Sequence, residues 1–242
     1  MGEEFFGEEV AERYDEDSAA MFDPAVVGPA VGVLAELAGD GGALEFAIGT
    51  GRIAVPLAER GIRVAGIDSS EAMLARLREK PGAQGIHSVA GDMTATRVEG
   101  EFALVFLVLN TIGNLTTQDA QVACFENAAA HLPPGGRFVI ETGLPALQQL
   151  PIGQSIVPFH AGPDGLGFDV YDVVTQTMTS HHYTFRDGRA EHGHVDFRYA
   201  WPAEYDLMAR IAGMRLEHRW QGWDRSPFTA TSGAHVSVYR KP

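Results

Sequence analysis

The sequence predicts an α/β fold in which helices cover both faces of a mostly parallel sheet, with an antiparallel β insertion late in the chain. Three observations predict it. From about residue 24 short apolar runs alternate with helical patterns, the βαβ rhythm of such a sheet. The run FALVFLVLN has almost no polar alternation, as a strand buried on both sides requires. After Glu141 the rhythm gives way to β-rich stretches joined by Asp187-Gly188, a pair favoured in tight hairpins.

Taken in order, Asp23-Pro24 supplies an N-cap and a first-turn proline, and Val27, Ala30, Val31, Leu34 and Leu37 recur at helical spacing until Gly39. Strands are expected at Ala43 to Ala47, Arg63 to Ile67, Ile86 to Ala90, Ala103 to Leu109 and Arg137 to Glu141. Helices are expected at Ile53 to Arg60, Glu71 to Lys80 and Thr117 to His131. Residues 152–200 form the insertion, with strands in FDVYDVVTQTMTSHHYTF and HGHVDFRYAW. Helical spacing returns at Glu204 to Ala212, and Met214 to Trp220 and Ala234 to Arg240 read as two last strands. The dozen residues between those strands are too few for a crossover helix, so the two pair antiparallel.

At 242 residues the chain fits a single domain. Its 45% hydrophobic and 21% charged residues are a globular composition, and no apolar run reaches the roughly 18 residues of a membrane span. The start, MGEEFFGEEVAER, lacks the basic and apolar segments of a secretory signal, so a cytoplasmic location is expected. Cys124 stands alone and cannot form an intramolecular disulfide, and no metal site is expected. A net charge of −14, with only Lys80 and Lys241 as lysines, argues against nucleic acid as a partner. The same acidity suits a cationic or amine ligand, although it also serves solubility.

The chemistry concentrates at strand ends. In LEFAIGTGRIAVPLAERG a strand ends in Gly49-Thr50-Gly51 and a helix begins at once, so bare backbone faces the carboxyl edge where open α/β sheets hold nucleotide-like ligands. Gly49, Gly51 and Ala54 also satisfy the dinucleotide-binding pattern, and a plain structural turn would use the same glycines. Glu45 argues against a pyrophosphate, which its charge would repel. Asp68 stands 17 residues after Gly51 at the next strand end, where it can take ribose hydroxyls or simply cap a helix together with Ser69 and Ser70. Gly91-Asp92-Met93 ends the third strand: the acid can accept an adenine amino group while Met93 packs near the ring, though Gly-Asp is also an ordinary turn.

The ordered set LEFAIGTG, GIDSSEAML, GDM, FALVFLVLNTIGNL and HLPPGGRFVIE resembles the class I S-adenosylmethionine (SAM)-dependent methyltransferases over roughly residues 40–142. The layout is similar to that of small-molecule N-methyltransferases, including those acting on amino sugars. The resemblance implies a Rossmann-like, doubly wound sheet of seven strands with an antiparallel last strand. It implies SAM as cofactor, with Glu45, Gly49 and Gly51 near its methionine end and Asp68 on the ribose. Asp92 and Met93 would sit at the adenine, Leu109 and Asn110 along the methionine and methyl-donor region, and Ser69 and Met73 complete the expected cofactor contacts. Arg52 departs from the small or apolar residues often found there and is expected to face solvent. Residues 1–22, with Tyr14 and Phe22, occupy the place of a lid over the cofactor, while the acidity of residues 1–12 equally fits a disordered start.

In this architecture the insertion roofs the substrate site. A two-residue turn at Asp187-Gly188 pairs Tyr183 with His192 and His181 with His194, and sets all four on one face with Asp196 beside them. His181, His194 and Tyr183 are therefore candidate catalytic residues, against the plainer reading of a solvent-facing hairpin. Trp201, Trp223 and Tyr171 suit an apolar pocket wall or the core. The expected partner is a small-molecule acceptor, methylated on nitrogen or oxygen. An amine acceptor needs mainly alignment, whereas a hydroxyl would want a base. The alternatives are an NAD-dependent oxidoreductase and a SAM-binding protein without catalysis.

Overall fold

A computed structural model describes residues 7–186 and 188–242. The chain runs through α1 (Glu8–Asp17), a 3-10 turn at Ala19–Phe22, α2 (Pro24–Ala38), β1 (Gly42–Phe46), α3 (Ala54–Glu59), β2 (Val64–Asp68) and α4 (Glu71–Glu79). It continues with β3 (His87–Ala90), β4 (Phe102–Leu107), α5 (Gln118–His131) and β5 (Arg137–Gly143). Next come β6 (Ile156–Gly162), β7 (Gly165–Asp172), β8 (Thr177–Arg186) and β9 (Arg189–Arg198), then α6 (Pro202–Ile211), β10 (Arg215–Trp220) and β11 (Ala234–Arg240). Each expected helix and strand of the main sheet is present, with ends shifted by a residue or two. None of the described helices is long and apolar enough to cross a membrane.

Local chemistry sets the helix starts. Asp23 Oδ1 accepts from Ala25 N at 2.8 Å ahead of Pro24, Ser70 Oγ accepts from Met73 N at 3.2 Å, and Thr117 Oγ1 accepts from Ala120 N at 3.1 Å. Each satisfies an amide that the first turn leaves without a partner. Ser70 is thus the cap of α4, and Ser69 is left for the site.

The main sheet has seven strands in the order β10-β11-β5-β4-β1-β2-β3. β1 pairs parallel with β2 and β4, whereas β11 runs antiparallel to both β5 and β10. Alternate residues feed two cores. Leu104 and Phe106 pack with Leu34, Leu57 and Leu74 under α2 to α4, and Val105 and Leu107 pack with Phe125, Tyr205 and Met208 under α5 and α6. Because the chain leaves β1 outward to β2 and β3 and then returns to β4, the crossovers on either side of β1 diverge. A crevice opens at the carboxyl ends of these strands.

The insertion is a separate antiparallel sheet, β6-β7-β8-β9. Its expected register holds: Arg186 faces Arg189, Tyr183 faces His192 and His181 faces His194. Asp187, half of the expected turn pair, lies outside the described residues. Two features differ from expectation. The stretch from Phe168 to Phe185 is two strands, broken by a turn at residues 173–176 where Asp172 Oδ1 accepts from Val174 N at 2.8 Å. The edge strand β6, whose Pro158 and mixed polarity hide any alternation, was not expected, and an edge is where a sheet tolerates proline.

An ion pair between buried Arg198 and half-buried Glu204 at the end of β9 fastens this sheet to the body. Arg198 is 4% exposed and donates to Gln121 Oε1 on α5 and Glu204 Oε1 on α6, each at 2.6 Å. Gln176, in the β7–β8 turn, donates to Glu204 Oε2 at 2.9 Å. Burial opposes the charge on Glu204, but hydrogen bonds from Arg198, Gln118 and Gln176 outweigh it and hold the carboxyl below its ordinary pKa.

Of the N-terminal segment, residues 1–6 lie outside the described residues. In residues 7–22, α1 packs against α4, Thr50 Oγ1 donates to Asp15 Oδ1 at 2.6 Å, and Lys80 pairs with Asp15 and sits 4.8 Å from the Phe22 ring centroid.

Candidate active site

The chain leaves β1 through three left-handed residues, Ala47, Gly49 and Gly51, before α3 begins. Gly51 is required twice over. Its φ of +84° disfavours side chains, and a Cβ there would stand 2.3 Å from Leu77 Cδ1 and 3.1 Å from Val55 Cγ2, so those packed side chains would have to shift. Gly49 N donates to Asp68 Oδ2 at 2.7 Å and Ser70 N donates to Asp68 Oδ1 at 2.9 Å. One carboxylate therefore ties the loop to the start of α4 and keeps a free lone pair on each oxygen. Burial raises the Asp68 pKa, and these two backbone bonds offset it only in part.

Between this loop and the neighbouring strand ends lies a cavity of about 280 Å³, close to the roughly 300 Å³ at which ligand pockets begin. Gly49, Asp68, Ser69 and Met73 line one side, and Gly91, Asp92 and Met93, following β3, line another. Thr111, Asn114 and Leu115 come from the segment after β4, Tyr14 from α1 and Val195 from β9. Asp92 Oδ1 accepts from Thr94 N at 2.8 Å, which fixes its carboxylate at the rim. Burial raises the Tyr14 pKa, which keeps its phenol protonated.

Four of the expected cofactor residues are not on this wall. Gly51 lies behind the loop, as its contacts require. Glu45 is 3% exposed on the α3 side of the sheet. An Ala54 backbone bond favours its charge, yet Oε2 has no partner, and burial drives its pKa well above the ordinary value. Leu109 and Asn110, left-handed at φ 58° and 60°, are not among the lining residues either. Leu109 N donates to Glu141 Oε2 at 3.0 Å, and Asn110 Oδ1 accepts from Gly143 N. The next residues, Thr111, Asn114 and Leu115, take the wall positions instead. Arg52 does not simply face solvent: half-buried, it donates to Met21 O at 3.4 Å and its charge favours ionisation of Glu45.

The imidazole cluster forms as expected but stands elsewhere. Tyr183 stacks on His192 at 4.4 Å between centroids, and His181 Nδ1 is 3.0 Å from His192 Nε2. Side chains alternate along β9, so His192 and His194 occupy the face opposite Val195, the strand's residue on the cavity wall. His181, Tyr183 and His194 are therefore not brought to the cavity. The aromatic candidates also part ways: Tyr171 is 7% exposed within the insertion, and Trp223 Nε1 donates to Glu141 Oε1 at 2.7 Å.

The wall residues fit a cationic nucleoside. Two carboxylates stand at successive strand ends beside Met73, Met93, Ile67 and Leu115, and none of the described wall residues is a lysine or arginine that would meet a pyrophosphate. Behind them the unpartnered buried oxygen of Glu45 further favours positive charge.

Comparison with known proteins agrees with this geometry. A family profile described as a methyltransferase domain matches residues 43–136. The solved structure of the CcbJ methyltransferase from Streptomyces caelestis is 35% identical over 98% of this chain and 97% of its own, with a TM-score of 0.85. A cypemycin N-terminal methyltransferase from a Streptomyces species is 28% identical over 94% of this chain and 97% of its own length. A dTDP-3-amino-3,4,6-trideoxy-alpha-D-glucopyranose N,N-dimethyltransferase from Streptomyces venezuelae is 25% identical over 72% of this chain and 76% of its own.

Proposed function

This chain belongs to the class I SAM-dependent methyltransferases, and we propose that it methylates an amine nitrogen of a small molecule of the sugar or peptide class. SAM supplies a methyl group already activated by its sulfonium. The residues we assign to holding it are Asp68 for the ribose, Asp92 and Met93 for the adenine, and Ser69 and Met73 beside them. Gly49 and the charge of Glu45 favour the methionine end, and Tyr14 on α1 acts as the lid residue.

The observation that carries the nitrogen assignment is the position of the imidazoles. His181, His192 and His194 lie on the face of the insertion opposite Val195, and His182, on the Val195 face, is not among the wall residues, so the far wall consists of Thr111, Asn114, Leu115 and Val195. These groups orient a partner but do not take a proton near neutral pH. A neutral amine brings its own lone pair and needs alignment, whereas a hydroxyl acceptor would call for a base. One of the relatives above is named an N,N-dimethyltransferase and another an N-terminal methyltransferase, in keeping with this reading.

The test is turnover of methyl-labelled SAM against a panel of amino sugars and peptides with free N-termini, each beside its hydroxyl analogue. Label is expected on the amines. Label confined to the hydroxyl compounds would overturn the nitrogen assignment.

A further inference from the structure

The register of the insertion sorts its side chains into two faces, and the face that carries Val195 holds a polar row. Asp169 on β7 stands opposite Ser180 on β8, and Ser180 opposite Val195 on β9. One line of side chains thus runs from the cavity wall to a carboxylate two strands away, about 10 Å by strand spacing. Ser180 is 6% exposed, and its Oγ lies 3.1 Å from His182 Nε2. His182 sits between Gly167 and Gly193 in the next row, where the neighbouring strands offer no side chain. Phe159 closes the outer end, its ring 5.2 Å from that of His182.

Asp169 is half-buried, yet among the described residues no lysine or arginine pairs with it. Burial raises its pKa, while the hydroxyls of Ser180 and Tyr171 and the His182 imidazole favour the charged form. A carboxylate removed from water without a cation is costly unless a ligand brings one.

We propose that this row is an anchoring site for the acceptor, in which Asp169 receives an ammonium group and Ser180 and His182 hydrogen-bond neighbouring hydroxyls of an aminated polyol. This rests on the reading of the chain as an amine methyltransferase and adds the residues that hold a second amino group of the acceptor, distinct from the one methylated. At its distance from the cavity wall Asp169 grips a part of the acceptor away from the reacting atom. Its removal should therefore weaken acceptor binding and leave the cofactor untouched.

The test uses the full chain saturated with S-adenosylhomocysteine, titrated by calorimetry with D-glucosamine and, separately, with D-glucose. Wild type should prefer the amine by about 10-fold or more, the worth of one charged hydrogen bond. Asp169→Asn should abolish that preference, Ser180→Ala should reduce it, and both should hold S-adenosylhomocysteine as wild type does, which also reports that they fold. A wild type with no preference or no binding of either probe overturns the proposal. So does a preference that survives in Asp169→Asn, or an Asp169→Asn protein that loses S-adenosylhomocysteine. Failure of wild type to bind S-adenosylhomocysteine would count against the functional reading itself.

Discussion

The carboxyl edge of the main sheet and the four-stranded insertion both offer acids and aromatic side chains to a ligand, but they are built on opposite terms. Every residue of β1 is buried, so the only chemistry it can present is at its end, where bare glycine backbone meets Asp68. Along β9 most residues are exposed, and two faces of different chemistry compete for the site. Packing on both faces of a strand leaves its tip as the one place for function. A strand with two open faces is committed only by what its sheet docks against, and here Val195 marks the inner side.

The comparison breaks first at the joint between the regions. Arg198→Ala removes the cation beside half-buried Glu204 and should cost about 1–3 kcal/mol in denaturant unfolding, less than the loss of one partner of a fully buried pair. A loss under about 1 kcal/mol would mean that the insertion docks by other contacts. At the main-sheet edge Glu45→Gln removes a carboxylate held in an unfavourable place. The apoprotein should gain about 1 kcal/mol or more near pH 8, or about 2–4 °C in Tm, while SAM binds less tightly. An apoprotein no more stable than wild type would deny the desolvation of Glu45.

The same carboxyl groups set a pH dependence. Glu45 and Asp68 have pKa values raised in the folded state, so the native chain holds more protons than the unfolded one above the ordinary carboxylate range. Apoprotein stability should therefore fall as pH rises through that window. A bound cation favours the ionised forms, so SAM affinity should rise over the same window. Affinity that stays flat or falls with pH would contradict the assignment. The smallest effect belongs to the outer face of the insertion. His181→Ala, at a half-buried ring stacked on Phe168, should change stability by no more than about 1 kcal/mol and leave the SAM Kd unchanged. A larger change in Kd would place that face at the cofactor after all.

Much of the main sheet was legible because its determinants are local. Asp23-Pro24, Ser70 and Thr117 start helices, the run from Phe102 to Leu107 declares a strand buried on both sides, and the short final link dictates the antiparallel β10–β11 pair. The strand-end residues Gly49, Asp68, Asp92 and Met93 were legible for the same reason. Leu109 and Asn110 do not line the cavity, where Thr111, Asn114 and Leu115 stand, and nothing in NTIGNL announces their two successive left-handed residues. In the insertion, alternation correctly grouped His181, Tyr183, His192 and His194. Period two says which residues share a face and is silent on which face turns inward. Arg198 and Asp169 gave no signal either, since the partners that give them meaning, or are missing, lie far away in sequence.

The most direct test of the difference between the two regions is a calorimetric SAM titration of Asp68→Ala alongside His194→Ala. The loss of one charged acceptor should weaken Asp68→Ala binding by about 10- to 100-fold, with His194→Ala matching wild type. Unchanged affinity in Asp68→Ala, or an equal loss in both proteins, would contradict the account.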